Sequence, residues 1–323
     1  MDGAHLTTPL QPIGLSTSWT GAQPDPDRPL DQVRALGFRR IEAYTHFTPA
    51  RLRTLADAAP AHGVEIGSLH GPCPVATNDR GDPMPFGDWL ASTREEDRTR
   101  AVDLYRRTVD AAAEVGARGV VVHLGTTGAP SQQRLLFDVI AREGRDSDQY
   151  RRLRETALRD RAAASPAHLE AALRSMRALG EHAAGTSVQL GVECRDNYVE
   201  IPSLDEVDDV LRACDGLPVG YWHDAGHGAK LDYLGLVSHE DYLRRYGAHL
   251  VGMHIHDTRA SLDHQAPGQG DTDFGMLARY LRPETIRTLE LRSSVTAAQI
   301  AQGLDLLASH DTFGVREGIL VEL

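Results

Sequence analysis

Short apolar runs recur along the chain. Each closes on a polar residue and is followed by a stretch with apolar side chains every three or four positions. The runs fall at residues 13–16, 40–43, 65–69, 119–122, 188–192, 218–222, 250–255 and 288–291. Their length, their β-rich composition and the flanking Gly or Pro predict strands. The stretches between them, 31–36, 49–62, 98–115, 166–184, 204–212, 240–246, 274–281 and 297–308, carry helical periodicity. Gly37, Gly63, Gly116 and Gly185 stand where helix stops are expected. Eight strand–helix units without a break in composition predict an α/β fold, one closed (β/α)₈ TIM barrel spanning 1–323.

Two connections exceed what such a barrel needs, the loops after strands 3 and 4. Residues 71–98 hold Pro72, Pro74, Gly81, Pro83, Pro85 and Gly87 and read as an ordered irregular loop. Residues 126–165 are Arg-rich and polar, with an extra helix expected around 149–161. Both follow a strand, so both belong to the face where long loops act as lids. A solvated insertion is an equal reading of the second.

Composition narrows the functions. With 46 acidic and 34 basic residues the formal charge is −12, which argues against a phosphate-backbone partner. Cys73, Cys194 and Cys214 are far apart and form no CxxC, so a reducing compartment is expected. The first residues lack a signal-peptide pattern, and no apolar run approaches the roughly 18 residues of a membrane span. A cytoplasmic location without a membrane partner is the expectation.

The candidate chemistry lies where the strands end. Reading those positions gives Glu42, His70, His123, Glu193, Asp224, His254 and Glu290, with His227 inside HDAGH and His264 in the loop after strand seven. One such residue is unremarkable. Several carboxylates at equivalent depth would cost several kcal/mol each if left without a counter-charge, so a bound divalent cation is expected. Carboxylates with imidazoles suit zinc, manganese, cobalt or iron, and the lack of nearby thiolates argues against a structural zinc site.

At this point the chain resembles the xylose isomerase-like barrel superfamily, which includes sugar-phosphate isomerases and epimerases and endonuclease IV-type repair enzymes. The segments that carry the resemblance are IGLSTSW, SLHGP, VVVHLG, LGVECRDNY, YWHDAGHGAK, GMHIHDTRASLDHQAPGQGD and TLELR, in order over nearly the whole chain. It implies that Glu193, Asp224, His254 and Glu290 hold one metal. It further implies that His70 and His123, sharing Glu193, hold a second, and that His227 and His264 match two of three ligands of a third. The repair enzymes place an Asp two residues before that His, where this chain has Leu262, with Asp263 next to His264. That departure argues against the third ion, and one, two or three ions (manganese or zinc) stay open. His227 has a second reading as a partner of a substrate hydroxyl.

The resulting expectation is a sugar or polyol isomerase or epimerase, with Glu193 and Glu290 as base and acid beside a metal-bound carbonyl. Its partner would be a small hydroxylated substrate, contacted by His227, Arg195, Lys230 and His256. Asn197 and Glu200 read better as neighbours of the site than as contacts. A dehydratase or lyase of a sugar-like compound would use the same stabilisation. Phosphodiester hydrolysis at abasic DNA is a third reading, weakened by the net charge and by 6% aromatic content. Acidic residues such as Glu143, Asp146, Asp148, Glu155 and Asp160 also interrupt the one Arg cluster. Assembly into a homo-oligomer stays open.

Overall fold

A computed structural model describes residues 10–319, apart from 24, 26, 79, 81–83 and 85–88. Eight parallel strands form the barrel: β1 Ile13–Ser16, β2 Arg40–Ala43, β3 Glu65–His70, β4 Gly119–Val122, β5 Gln189–Glu193, β6 Val219–Asp224, β7 Leu250–Ile255 and β8 Ile286–Leu289. Each pairs with its neighbours in sequence, and β8 closes on β1. The expected α/β barrel is the observed one. β3, β5 and β6 run one or two residues past their apolar runs, so His70, Glu193 and Asp224 sit inside the hydrogen-bonded ladder.

The barrel interior is filled around Trp222 on β6, which packs with Val121 and Ile286. The ring fits because neighbouring strands present Gly191 and Gly252 to it. A Cβ at Gly191 would come within 2.7 Å of Trp222 Cε3, and one at Gly252 would meet the same indole. His254 stands over that indole, ring centroids 5.1 Å apart. The carboxyl-end mouth therefore has a solid apolar floor.

Helices α1 Asp27–Ala35, α2 Pro49–Ala58, α3 Glu95–Glu114, α4 Gln133–Glu143, α5 Asp148–Ala183, α6 Leu204–Ala213, α7 Ala225–Tyr233, α8 His239–Tyr246, α9 Phe274–Ala278 and α10 Ala297–Leu307 surround it. Of the connection after β3, Gly81, Pro83, Pro85 and Gly87 lie outside the described residues.

The connection after β4 differs from expectation. It is built of helices, and the extra helix expected around 149–161 is the first part of a longer one. α5 runs 36 residues straight through Pro166. Pro removes one main-chain donor and costs about 3 kcal/mol inside a helix. Both halves are held by packing that outweighs this. The first half, α4, the loop around Tyr198 and the end of α7 bury Leu136, Val139, Tyr150, Ala157, Tyr198, Val199, Leu231 and Leu234 in a core of their own. The second half buries Ala172, Met176 and Leu179 in the main core. Just before Pro166, Arg161 and Ser165 both bond Glu206 of α6. Arg161 also donates to the Tyr198 and Glu200 carbonyls. The insertion thus buttresses the loop that follows Glu193.

Candidate metal centre

Register brings the strand-end residues to one level. Asp224 on β6 lies opposite His254 on β7, and Glu42 on β2 lies opposite Ser68 on β3. Glu42, Glu193, Asp224, His254 and Glu290 are all buried. Ligand-type atoms of Glu193, Asp224, His254 and Glu290 lie within 4.8 Å of one another, and so do those of His70, His123 and Glu193.

His254 is the pivot. Its Nδ1 faces three carboxylates: Glu193 Oε1 at 2.6 Å, Glu290 Oε2 at 2.9 Å and Asp224 Oδ2 at 3.6 Å. Its Nε2 lies 3.1 Å from Glu42 Oε2, which also accepts from Ser68 Oγ at 2.9 Å. Burial opposes an imidazolium here, but Glu290 and Glu42 raise His254 well above its usual pKa. For Glu193, Asp224 and Glu290 burial raises the pKa, and the facing imidazoles overcome it and leave all three well below the carboxylate range. Glu193, Asp224 and Glu290 thus converge as buried carboxylates on the His254 imidazole. Such a set suits a divalent cation, and its imidazole-plus-carboxylate chemistry fits zinc, manganese, cobalt or iron.

The second group shares Glu193. His123 Nε2 lies 2.6 Å from Glu193 Oε2, and its main chain is gripped by the Tyr105 hydroxyl. The His70 ring meets His123 edge-on at 4.7 Å, and His70 Nδ1 is buried without a hydrogen-bond partner. Burial, aided by His123, lowers His70 to about 4, which keeps it neutral and able to donate a lone pair. This donor set also fits a cation.

The polar residues expected near substrate make the following contacts. Arg195 donates to Glu193 Oε2 at 2.8 Å and spans to Glu200 Oε1 at 2.9–3.1 Å. Lys230 Nζ bridges Asp196 and Asp263, at 2.7 and 2.8 Å. Asp224 caps α7 by accepting from the His227 main-chain N–H, and His227 turns Nδ1 to the Cys194 carbonyl at 2.9 Å. His264 Nε2 is 3.7 Å from Glu290 Oε2, while His256 contacts Asp224. His223 faces away, to Tyr221 and His239. Cys194 turns its sulfur to the Asp224 main chain, and no cysteine joins a donor group among the described residues.

Two residues at the centre carry no role in the sequence reading. Glu42 carried the strand-end signal but received no role. Tyr44, just beyond β2, packs on His70 at 4.7 Å. Burial and then Glu290 and Glu193 push its phenol well up, which places it beside the centre. Nothing in the sequence distinguishes it from other tyrosines.

A family model described as xylose isomerase-like TIM barrel matches residues 30–310. The chain belongs to the xylose isomerase-like TIM barrel family. A protein of Sinorhizobium fredii, "Uncharacterized protein y4fM", is 25% identical over 289 residues, covering 80% of this chain and 78% of that one. Among solved structures, the Escherichia coli 3-keto-D-glucoside 4-epimerase YcjR superposes with TM-score 0.64 at 18% identity. That match covers 92% of this chain and 98% of YcjR. The IOLI protein, solved with a zinc atom, superposes with TM-score 0.62 at 14% identity, covering 93% and 99%. These likenesses establish the shared barrel.

Proposed function

We propose that the chain is a divalent-metal-dependent isomerase or epimerase of a sugar or sugar-like polyol, working by proton transfer beside a carbonyl. The observation that carries this reading is the convergence of Glu193, Asp224, His254 and Glu290 on one point at the barrel mouth. An epimerase and a zinc-bound protein among the structures of like fold support it.

Glu193, Asp224, His254 and Glu290 would hold one ion, and His70 and His123 with Glu193 a second. When bound, the cation supplies a Lewis acid that polarises a substrate carbonyl and acidifies the neighbouring C–H. Glu193 and Glu290 then serve as the acid–base pair. They are not equivalent. Glu193 receives His123, His254 and Arg195, whereas Glu290 is approached by His254 and, more distantly, His264. Glu290 is therefore the carboxylate better able to swing an oxygen to substrate and take the proton. Arg195, held by Glu200, keeps Glu193 in place, and Lys230 joins the loops after β5 and β7. His227 Nε2, opposite the nitrogen given to Cys194, is left to meet a substrate hydroxyl.

The test is ketose and keto-sugar interconversion by protein stripped of metal and then reloaded with Mn²⁺ or Zn²⁺. Activity should vanish on stripping and return on reloading. Stripped protein that works as well as reloaded protein would overturn the reading.

The His70–His123–Glu193 group favours a second reading, metal-assisted phosphodiester hydrolysis, since two cations can clamp both reacting oxygens. Incision of an abasic duplex by reloaded protein, without any sugar interconversion, would select it.

A further inference from the structure

Asp224, His256 and His264 form a third group of donors at the mouth. By residue type it suits a cation as well as the other two. Its hydrogen bonding does not.

The main-chain N–H of His264 donates to His256 Nδ1 at 2.9 Å. An amide N–H can only donate, so Nδ1 carries the lone pair and the ring proton sits on Nε2. His256 Nε2 lies 2.9 and 3.1 Å from the two oxygens of Asp224, where that proton is donated. The Asp257 carbonyl, 3.4 Å from Nδ1, is too far to compete. Both nitrogens are committed. Ligation through Nε2 would send the proton to Nδ1, where it would face the His264 N–H head-on.

That amide cannot readily turn away. His264 sits in the left-handed region at φ +53, a conformation a non-glycine residue keeps only when its surroundings enforce it. Here Asp263, the preceding residue, is tied to Lys230 and Arg292, and the His264 ring stacks on His256 at 4.2 Å. Asp263 is thereby spent as well. Without His256, only Asp224 and His264 remain of the three donors.

We propose that this third group takes no cation and that His256 is a positioning residue, whose Nε2–H aims the Asp224 carboxylate into the centre. His227 joins no donor group among the described residues, so the expected pairing of His227 with His264 supplies no third site either, and the barrel mouth holds two ions at most. The inference rests on the metal-centre reading above and asks a finer question of it.

Two measurements test it without reference to turnover. Zinc per chain, counted by elemental analysis after saturation and gel filtration, should not exceed two. Three would overturn the inference while leaving the metal reading intact, and none would overturn the metal reading and the inference with it. In a two-bond ¹H–¹⁵N spectrum the His256 ring, assigned by its absence in His256→Asn, should show the Nε2–H tautomer before and after zinc. A change to Nδ1–H on adding zinc would overturn the proposal. His256→Leu should weaken zinc binding about 10-fold or more. His256→Asn, whose amide can still donate to Asp224, should recover most of that loss. Equal affinity in wild type and Leu variant would contradict the positioning role.

Discussion

Glu42 Oε2 lies 3.1 Å from His254 Nε2, a carboxylate on β2 bonded across the barrel floor to an imidazole on β7. Both side chains are fully buried, and His254 turns its other nitrogen to Glu193, Glu290 and Asp224. A carboxylate behind an imidazole fixes its tautomer and raises its strength as a ligand. Glu42→Ala should therefore weaken metal binding about 10- to 100-fold, with Glu42→Gln between it and wild type. Competition with a chelator measures this. Unchanged affinity in a folded Ala variant would show that the pair is structural only.

The shared carboxylate makes a second prediction. Glu193 belongs to both donor groups, whereas His123 belongs to one. By elemental analysis at matched metal concentration, Glu193→Gln should retain fewer ions than His123→Ala. Equal retention would contradict a centre built around Glu193.

How much of this was legible in the sequence depends on what each residue's role requires. His70, Glu193 and Asp224 close apolar runs, so a strand reading alone sets them at the mouth. Arg195 and Lys230 were legible as residues but not in their ion pairs. Their partners Glu200 and Asp263 lie on short antiparallel strands outside the barrel, whose pairing no local pattern reports. Pro166 marked a helix boundary by every local rule, yet α5 continues because Arg161 and Ser165 bind Glu206 on another helix. The proton on His256 depends on a left-handed His264, a property of the folded antiparallel pair Asp257–Arg259 and Leu262–Gln265 that composition does not carry.

The Glu206 network predicts acid sensitivity away from the metal centre. Burial raises the Glu206 pKa, but Arg161 and Ser165 overcome that and hold it below its ordinary value. A carboxylate lower in the folded than in the unfolded state contributes stability above the unfolded value and loses it as pH falls through the folded one. Glu206→Gln should lower stability to urea at neutral pH, and this deficit should shrink as pH falls through and below the carboxylate range. A deficit independent of pH would show that the charge of Glu206 contributes nothing.

The central claim is that Glu290 moves a proton at a carbon beside a carbonyl held at this centre. The direct measurement is deuterium incorporation from D₂O into ketose substrates by metal-loaded protein, followed by mass spectrometry and NMR. The account predicts deuterium at that single carbon. In Glu290→Gln, kept loaded by excess metal, incorporation should be lost, because a neutral amide cannot take the proton. Full exchange in the reloaded variant would contradict the account, leaving Glu290 a ligand only and the proton to another group.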